Sequence, residues 1–344
     1  MQKNNTEAFL LIEKGNPEKA FSLEPISINP PKSDEVLIEV TSFGLNYADV
    51  MARNGLYKEA PAMPCVIGYE VVGTVKETGK NVDKSWVGKR VVAFTRFGGY
   101  SKKVTTKVSA IAIIDDLDAA IALSLCTQSV TAYYMANYVA PIHKNETVLI
   151  HAAAGGVGSI LIQLAKEKGA IVIAKIGDES KRELVKKLGA DYIINYNQSD
   201  YISEIENYLN GKKLDVIYNP VGGVTFKNDM KILNPGGKMF LFGGSALSKG
   251  KWGILSSLNF VRKMGLMIPI GLMMQSKSVL GINMLKIADE KPEVIQECLN
   301  AVIALYRENI IQPQIGGEFN ASELAKAHAL LEGGKTIGKL AIHW

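Results

Sequence analysis

The sequence reads as an α/β protein: a doubly wound parallel sheet beside a separate β-rich domain built from both ends of the chain. Three observations carry this reading. Residues 1–126 look like short strands punctuated by glycines, residues 127–283 alternate strand with helix, and 284–344 supply two helices and a strand, too little for a third domain. Strand–helix alternation implies parallel strands with helices on both faces, and right-handed crossovers leave the doubly wound order as the leading topology. The last segment is therefore expected to return and complete the first domain.

In the first part, 35–41 alternates as a half-buried strand does. Further strands are expected at 69–77, 90–94, 100–104 and 110–113, with one short helix over 47–53. In the second part, strands are expected at 147–151, 171–176, 192–195, 214–219 and 237–242, and a sixth within 278–283. In the last part, 292–308 is patterned as an amphipathic helix. Asn320 to Glu323 resembles a capping box opening a helix over 321–331, which Gly333 and Gly334 end before a closing strand at 337–342.

The stretch VLIHAAAGGVGS (148–159) is the most telling. An apolar strand runs into a glycine turn that opens a helix, and a second strand follows where a dinucleotide-binding Rossmann unit places it. Gly155 and Gly156 are expected to take backbone angles closed to other residues, and Gly158 to let the helix pack close to the strand. Free N–H groups at the helix N-terminus would face a pyrophosphate. The first glycine of the usual pattern is Ala153 here, so the context supports the assignment better than the motif does.

Composition excludes several classes. The chain has 344 residues, long enough for two domains, and a formal charge of +5 with both signs interspersed, which gives no stripe for nucleic acid. The N-terminus lacks an apolar signal core and the three cysteines are far apart, so a reducing cytoplasm is expected. The apolar run 264–274 is too short to span a bilayer, which takes about 20 residues. It is expected to form a buried pocket wall or a subunit interface, with membrane-surface contact as the lesser alternative. The apolar edge strand within 278–283 would pair with a second copy, giving a homodimer.

Local motifs along nearly the whole chain resemble the medium-chain dehydrogenase/reductase superfamily: GYEVVG (68–73), GGYS (98–101) and IGKL (337–340). The signature GLNYADVMARNGLY (44–57) is similar to zinc-free quinone oxidoreductases of the zeta-crystallin type. Together with NPVGG (219–223) and ALY (304–306), it looks closer still to their vesicle amine transport protein branch. The resemblance implies a GroES-like catalytic domain beside the Rossmann domain. Zinc alcohol dehydrogenases carry a cysteine where this chain has Asn46 and a histidine where it has Tyr69, and the four histidines here form no cluster, so no zinc is expected.

The resemblance further implies hydride transfer from NADPH to a small apolar quinone or α,β-unsaturated carbonyl, in a cleft between the domains. Asn46 and Tyr57 would polarise the acceptor oxygen. Asn46 could instead only cap the helix it precedes, and Tyr57 only anchor its loop. Asp49 and Arg53 are expected to pair on the helix surface, and His151 and Glu70 to be structural. Cofactor contacts are implied for Thr131, Ala153, Gly155, Gly156, Val157, Gly158, Gly177, Lys181, Tyr196, Phe242, Gly243, Gly244, Ser245 and Lys339. The position that carries a ribose-binding carboxylate in NAD-specific sites falls at Gly177, while Lys181 and Tyr196 match positions that meet the 2′-phosphate. Asp178 and Glu179 stand against this, because they would repel a phosphate they faced. The alternative function is a cofactor-binding protein associated with lipid or membrane, with weak catalysis or none.

Overall fold

The computed structural model describes residues 4–248 and 254–344. Its strands run in chain order as β1 (Asn4–Leu11), β2 (Phe21–Ile28), β3 (Glu35–Leu45), β4 (Glu70–Thr78), β5 (Arg90–Phe94), β6 (Lys103–Lys107) and β7 (Ile111–Ile113). Then come β8 (Thr147–Ile150), β9 (Ile171–Ile176), β10 (Tyr192–Asn195), β11 (Leu214–Asn219), β12 (Leu233–Leu241), β13 (Ser278–Gly281), β14 (Ile315–Asn320) and β15 (Lys339–His343).

The chain divides into two compact units. One comprises Met1–Thr131, Leu285–Glu308 and Pro313–Trp344, and the other Ala132–Met284 and Asn309–Gln312. The division falls inside a continuous helical stretch that runs from Ala119 to Val139 with two π turns. The fold is α/β with a GroES-like β unit and a parallel Rossmann sheet.

In the first unit the strand order is β14-β15-β3-β4-β5-β7, with β6 also paired to β3, and β1 and β2 form a two-stranded sheet of their own. The C-terminal strand β15 thus sits between β14 and β3, so the end of the chain does complete the β unit. Strand β6 begins at Lys103, later than the pattern at 100–104 suggests. Tyr100 N donates to Ile67 O and Ser101 bridges Ala8, so those two residues are held in loop contacts before the ladder with β3 begins. The core of this unit packs Ile38, Phe43, Val71, Val91, Tyr100 and Ile342.

In the second unit the parallel order is β10-β9-β8-β11-β12-β13. Every residue of β8 is buried, as a central parallel strand requires. The chain reverses direction of sheet growth between β8 and β11, so their carboxyl ends flank the topological switch point where such sheets bind ligands. Strand β13 is the sheet edge, as expected. The preceding apolar run differs from expectation as a pocket wall. Gly265, at φ 80, and Pro269 separate a helix Ile254–Met264 from a helix Pro269–Gln275, and several apolar side chains here face outward; Leu258 is 62%, Leu266 91% and Met274 80% exposed in the single chain. No helix among the described residues is long and apolar enough to cross a membrane.

Asp49 and Arg53 also depart from expectation: they do not pair on a surface, because both are fully buried. Arg53 donates to Glu332 of the C-terminal helix Leu324–Glu332, and Asn54 donates to the same carboxylate, at 2.8 Å. Asp49 Oδ2 accepts the Asn46 backbone N–H at 2.8 Å, closing the start of helix Tyr47–Arg53. Burial pushes the Asp49 carboxyl up to about 8, against the lowering effect of that bond.

The sign of this shift fixes a pH dependence. Above the ordinary carboxyl value of 3.8 the unfolded chain loses the Asp49 proton while the folded chain keeps it until about pH 8, so stability falls across that window. Asp49→Asn mimics the protonated carboxyl and should remove the loss. In urea unfolding the variant is expected to match wild type near pH 4 and to exceed it by ~5 kcal/mol at pH 8. An equal difference at both pH values would contradict this account.

Candidate active site

The glycine turn lies between β8 and the helix Gly156–Glu167. Its residues differ from expectation in how they use their freedom. The left-handed angle belongs to Ala152, at φ 51, whereas Gly155 sits at an ordinary φ of −75 and Gly156 and Gly158 are not among the positive-φ glycines. Gly158 is required for space instead. A Cβ there would stand 2.5 Å from Ala152 O and 2.8 Å from Ala153 Cα, which leaves no room for any side chain. Ala153 is fully buried, and its N–H donates to Lys175 O of β9 at 3.1 Å, pinning the turn to the sheet. Val157 is partly exposed in the first helical turn. The turn thus offers a helix N-terminus fronted by backbone alone, which suits an anionic group.

At the end of β9, the space a side chain on Gly177 would occupy is filled by Tyr196, whose hydroxyl lies 2.3 Å from the ideal Cβ position. A side chain at 177 would have to displace the Tyr196 ring tip. Tyr196 itself is 43% exposed, and Lys181 is buried in the turn Glu179–Lys181. The two nearby acids are engaged locally: Asp178 accepts from Ser180 N, and Glu179 bonds Arg182 and Asn195. The tie to Arg182 holds the Glu179 carboxyl below its usual range.

The loop after β11 is shaped by Asn219, whose Oδ1 accepts the N–H groups of Val221 and Gly222 at 2.8 and 2.9 Å. The FGGS loop follows β12. Phe242 N donates to Asn219 O and Ser245 N to Pro220 O, while a Cβ on Gly243 would meet Pro220 O at 2.7 Å. Gly243 is exposed, Gly244 and Ser245 are partly exposed, and Ser245 opens a short helix. Gly155–Gly158, Gly177, Lys181, Tyr196 and the 242–245 loop therefore all belong to the Rossmann unit and follow the carboxyl ends of its strands.

The remaining expected residues belong to the β unit. Lys339 is not a free cation for a phosphate: it is fully buried, pairs with the fully buried Glu70 and bonds Leu45 O and Asn46 Oδ1. Burial among apolar strands leaves each of these charges dependent on the other. Asn46 is buried, and its Nδ2 donates to Glu70 Oε1 at 2.8 Å. The Asn46 amide is thereby held in one orientation by both partners, a role beyond helix capping. Thr131 is also committed, its hydroxyl donating to Thr127 O at 2.6 Å inside the helical stretch. Tyr57 is half-buried with its ring edge-on to Tyr69, which packs in turn on Phe97. Burial, and the carboxylates of Glu59 and Asp49, push the Tyr57 phenol up to about 12, so it keeps its proton near neutral pH. Sequence reasoning missed Phe97, which takes a left-handed angle next to two glycines. It also missed Lys175 and Asp229, which look like ordinary strand and helix positions in sequence.

Among the described residues, no group of three histidines, cysteines or carboxylates could hold a metal ion. His151 is buried with Nε2 2.9 Å from Asp229 Oδ2, and burial lowers its proton affinity, so the ring is neutral.

Comparison with known proteins agrees with this architecture. Residues 32–144 match the alcohol dehydrogenase GroES-like domain, and residues 156–300 match the zinc-binding dehydrogenase family. The synaptic vesicle membrane protein VAT-1 homolog of Danio rerio is 28% identical over 313 residues, covering 90% of this chain; the chain spans 64% of that protein. A probable quinone oxidoreductase of Schizosaccharomyces pombe is 32% identical over 237 residues, covering 68% of this chain and 71% of that protein. The crystal structure of Escherichia coli quinone oxidoreductase complexed with NADPH superimposes with a TM-score of 0.86 at 26% identity, covering 98% of this chain and all of that one. With its GroES-like unit, its glycine-turn Rossmann unit and these relatives, the chain belongs to the medium-chain dehydrogenase/reductase superfamily, within the quinone oxidoreductase group.

Proposed function

We propose that this chain is a zinc-independent reductase that uses NADPH to deliver hydride to a quinone or an α,β-unsaturated carbonyl. The observation that carries the reading is the bare-backbone helix start at the switch point, where Gly158 lets the helix close on Ala152 and Ala153, combined with a second-strand end that carries Gly177 and the Tyr196 hydroxyl where NAD-specific sites carry a carboxylate. Gly155–Gly158 would hold the pyrophosphate, Tyr196 and Lys181 the 2′-phosphate, and the 242–245 loop the carboxamide. When bound, the cofactor supplies the hydride. That the Escherichia coli relative is described with NADPH supports the choice of cofactor. Asn46 and Tyr69, standing where zinc enzymes carry a cysteine and a histidine, support the zinc-free reading.

Hydride arrival at a conjugated carbon places negative charge on the acceptor oxygen, and hydrogen-bond donors preset at that oxygen lower the barrier. Tyr57, a protonated phenol with a polar tip at a half-buried position, is the better donor. Asn46 acts with it through the one amide hydrogen that Glu70 leaves free, its plane fixed by Lys339.

A specific observation favours a second reading. The outward apolar side chains of 258–274 stand in a stretch with no acidic residue between Asp229 and Asp289. A contiguous apolar patch on a single chain marks a contact with something else. An anionic lipid surface or a second copy paired along β13 would each cover it, the first giving a membrane-associated cofactor-binding protein and the second a homodimer.

Fluorescence titration should give tighter binding of NADPH than of NADH, and NADPH should be oxidised with quinones or enones but not in the presence of simple alcohols; oxidation with no member of a quinone and enone panel would sink the reductase reading. Tyr57→Phe should lower kcat by about 10²-fold with little change in NADPH affinity, whereas full turnover would leave Tyr57 only a packing residue. Co-sedimentation with anionic vesicles, run beside light scattering of the chain alone, should show either vesicle capture or a dimer that masks the patch; a monomer that ignores vesicles would remove both occupants.

A further inference from the structure

Beneath the glycine turn, four buried polar side chains connect three neighbouring parallel strands. Lys175 of β9 places Nζ 3.4 Å from His151 Nδ1, just past the end of β8. His151 Nε2 lies 2.9 Å from Asp229 Oδ2 on the helix Val224–Ile232. Asn219, at the end of β11, donates to the same Asp229 oxygen at 2.6 Å and holds the N–H groups of Val221 and Gly222 with its own carbonyl. Tyr201 donates to Asp229 Oδ1 at 2.9 Å. Lys175 is 5%, His151 1%, and Asp229 and Asn219 0% exposed.

The protonation states follow from the partners. A neutral imidazole accepts from the Lys175 ammonium on Nδ1 and turns its Nε2 toward the Asp229 carboxylate, 2.9 Å away. The ring thus separates the two charges instead of letting them collapse into a direct pair. The positive end is the one displaced toward the end of β9. There the Lys175 ammonium lies over the Tyr201 ring, 3.4 Å from its centroid, and 5.3 Å from the centroid of Tyr196. Tyr196 is the residue whose hydroxyl fills the side-chain space of Gly177.

We propose that Lys175 is a positioning and specificity-determining residue for the 2′-phosphate of the cofactor, its ammonium held by the His151–Asp229 pair so that its field and its grip on Tyr196 favour NADPH over NADH. This rests on the NADPH reading above. It adds a residue that the family signature does not supply, because Lys175 lies inside the strand and acts through Tyr196. A buried positive charge acts on a nearby dianion through less screening than a surface lysine would. The groups that face Lys175 are the Asp229 carboxylate, the Asp200 carboxylate at the start of the helix Tyr201–Tyr208, neutral His151 and the rings of Tyr196 and Tyr201.

Burial brings the Lys175 ammonium down to about 8, against the supporting charges of Asp229 and Asp200. The ammonium is therefore present below about pH 8 and lost above it, and the preference for NADPH should fall in the same direction.

The test measures Kd for NADPH and for NADH across pH 6.5 to 9.5, with a thermal melt to check folding, on wild type, Lys175→Met, Lys175→Arg and Asp229→Asn. One screened charge is worth about tenfold in Kd. Lys175→Met should weaken NADPH by about tenfold at pH 7 with NADH unchanged, and should flatten the pH dependence of the ratio. Lys175→Arg should restore most of the preference and hold it to higher pH. Asp229→Asn removes a carboxylate that supports the ammonium, so the fall in preference should move to lower pH. Equal loss of both cofactors in Lys175→Met, or a wild-type pH profile that persists in it, would reduce Lys175 to a packing residue and overturn the proposal. A wild type that binds NADH as tightly as NADPH at every pH overturns the preference and this proposal together. A wild type that binds neither overturns the cofactor reading of the glycine turn itself.

Discussion

Each unit of this protein is organised around charge buried among apolar strands, and the need to pair that charge constrains much else. In the β unit, Glu70 on β4 and Lys339 on β15 are fully buried and pair with each other. Their pairing ties the C-terminal strand to a strand more than two hundred residues earlier and sets the plane of the Asn46 amide between them. In the Rossmann unit, Lys175, His151 and Asp229 solve the same problem with an imidazole between the two charges. Pairing buried charge of this kind gives orientation more than net stability, since desolvation offsets most of the attraction. Orientation is what a site for a charged cofactor and a developing oxyanion needs.

Space is the second constraint. At the glycine turn the backbone must come close to the sheet, and the residue that takes the unusual angle is Ala152, while the glycines serve by lacking side chains. The distinction has a functional side. A helix start fronted by bare backbone presents N–H groups to an anion, whereas any side chain at Gly158 would push the helix away from Ala152 and Ala153. At Gly177 the same logic is inverted: the vacant side-chain space is filled from outside by the ring tip of Tyr196.

The relatives divide between quinone oxidoreductases and a synaptic vesicle membrane protein, and the surface of the Rossmann unit holds features that bear on both. The strand ends carry the glycine turn and the loops after β9, β11 and β12. Between Leu258 and Met274 several apolar side chains face outward in a stretch free of acidic residues.

The sequence by itself determined the element types, because periodicity, glycine turns and capping residues are local. Helix Tyr47–Arg53, strands β5, β9, β10 and β11, and the capping box at Asn320 all fall where the pattern puts them. It also pointed to the Rossmann unit and to the lack of a carboxylate at Gly177, since a strand, a glycine turn and a helix are contiguous in the chain. Only the tertiary structure decided which polar residues are buried and whom they meet. Asp49 and Arg53 have the spacing of a surface pair, yet the C-terminal helix covers them and Arg53 turns to Glu332. Lys339 matches a family motif, yet Glu70 claims it. Lys175 and Asp229 carry no local signal at all. The physical reason is that an ion pair between residues far apart in the chain leaves no periodicity behind: burial and partnership depend on which strands lie side by side, and that is settled by the sheet order.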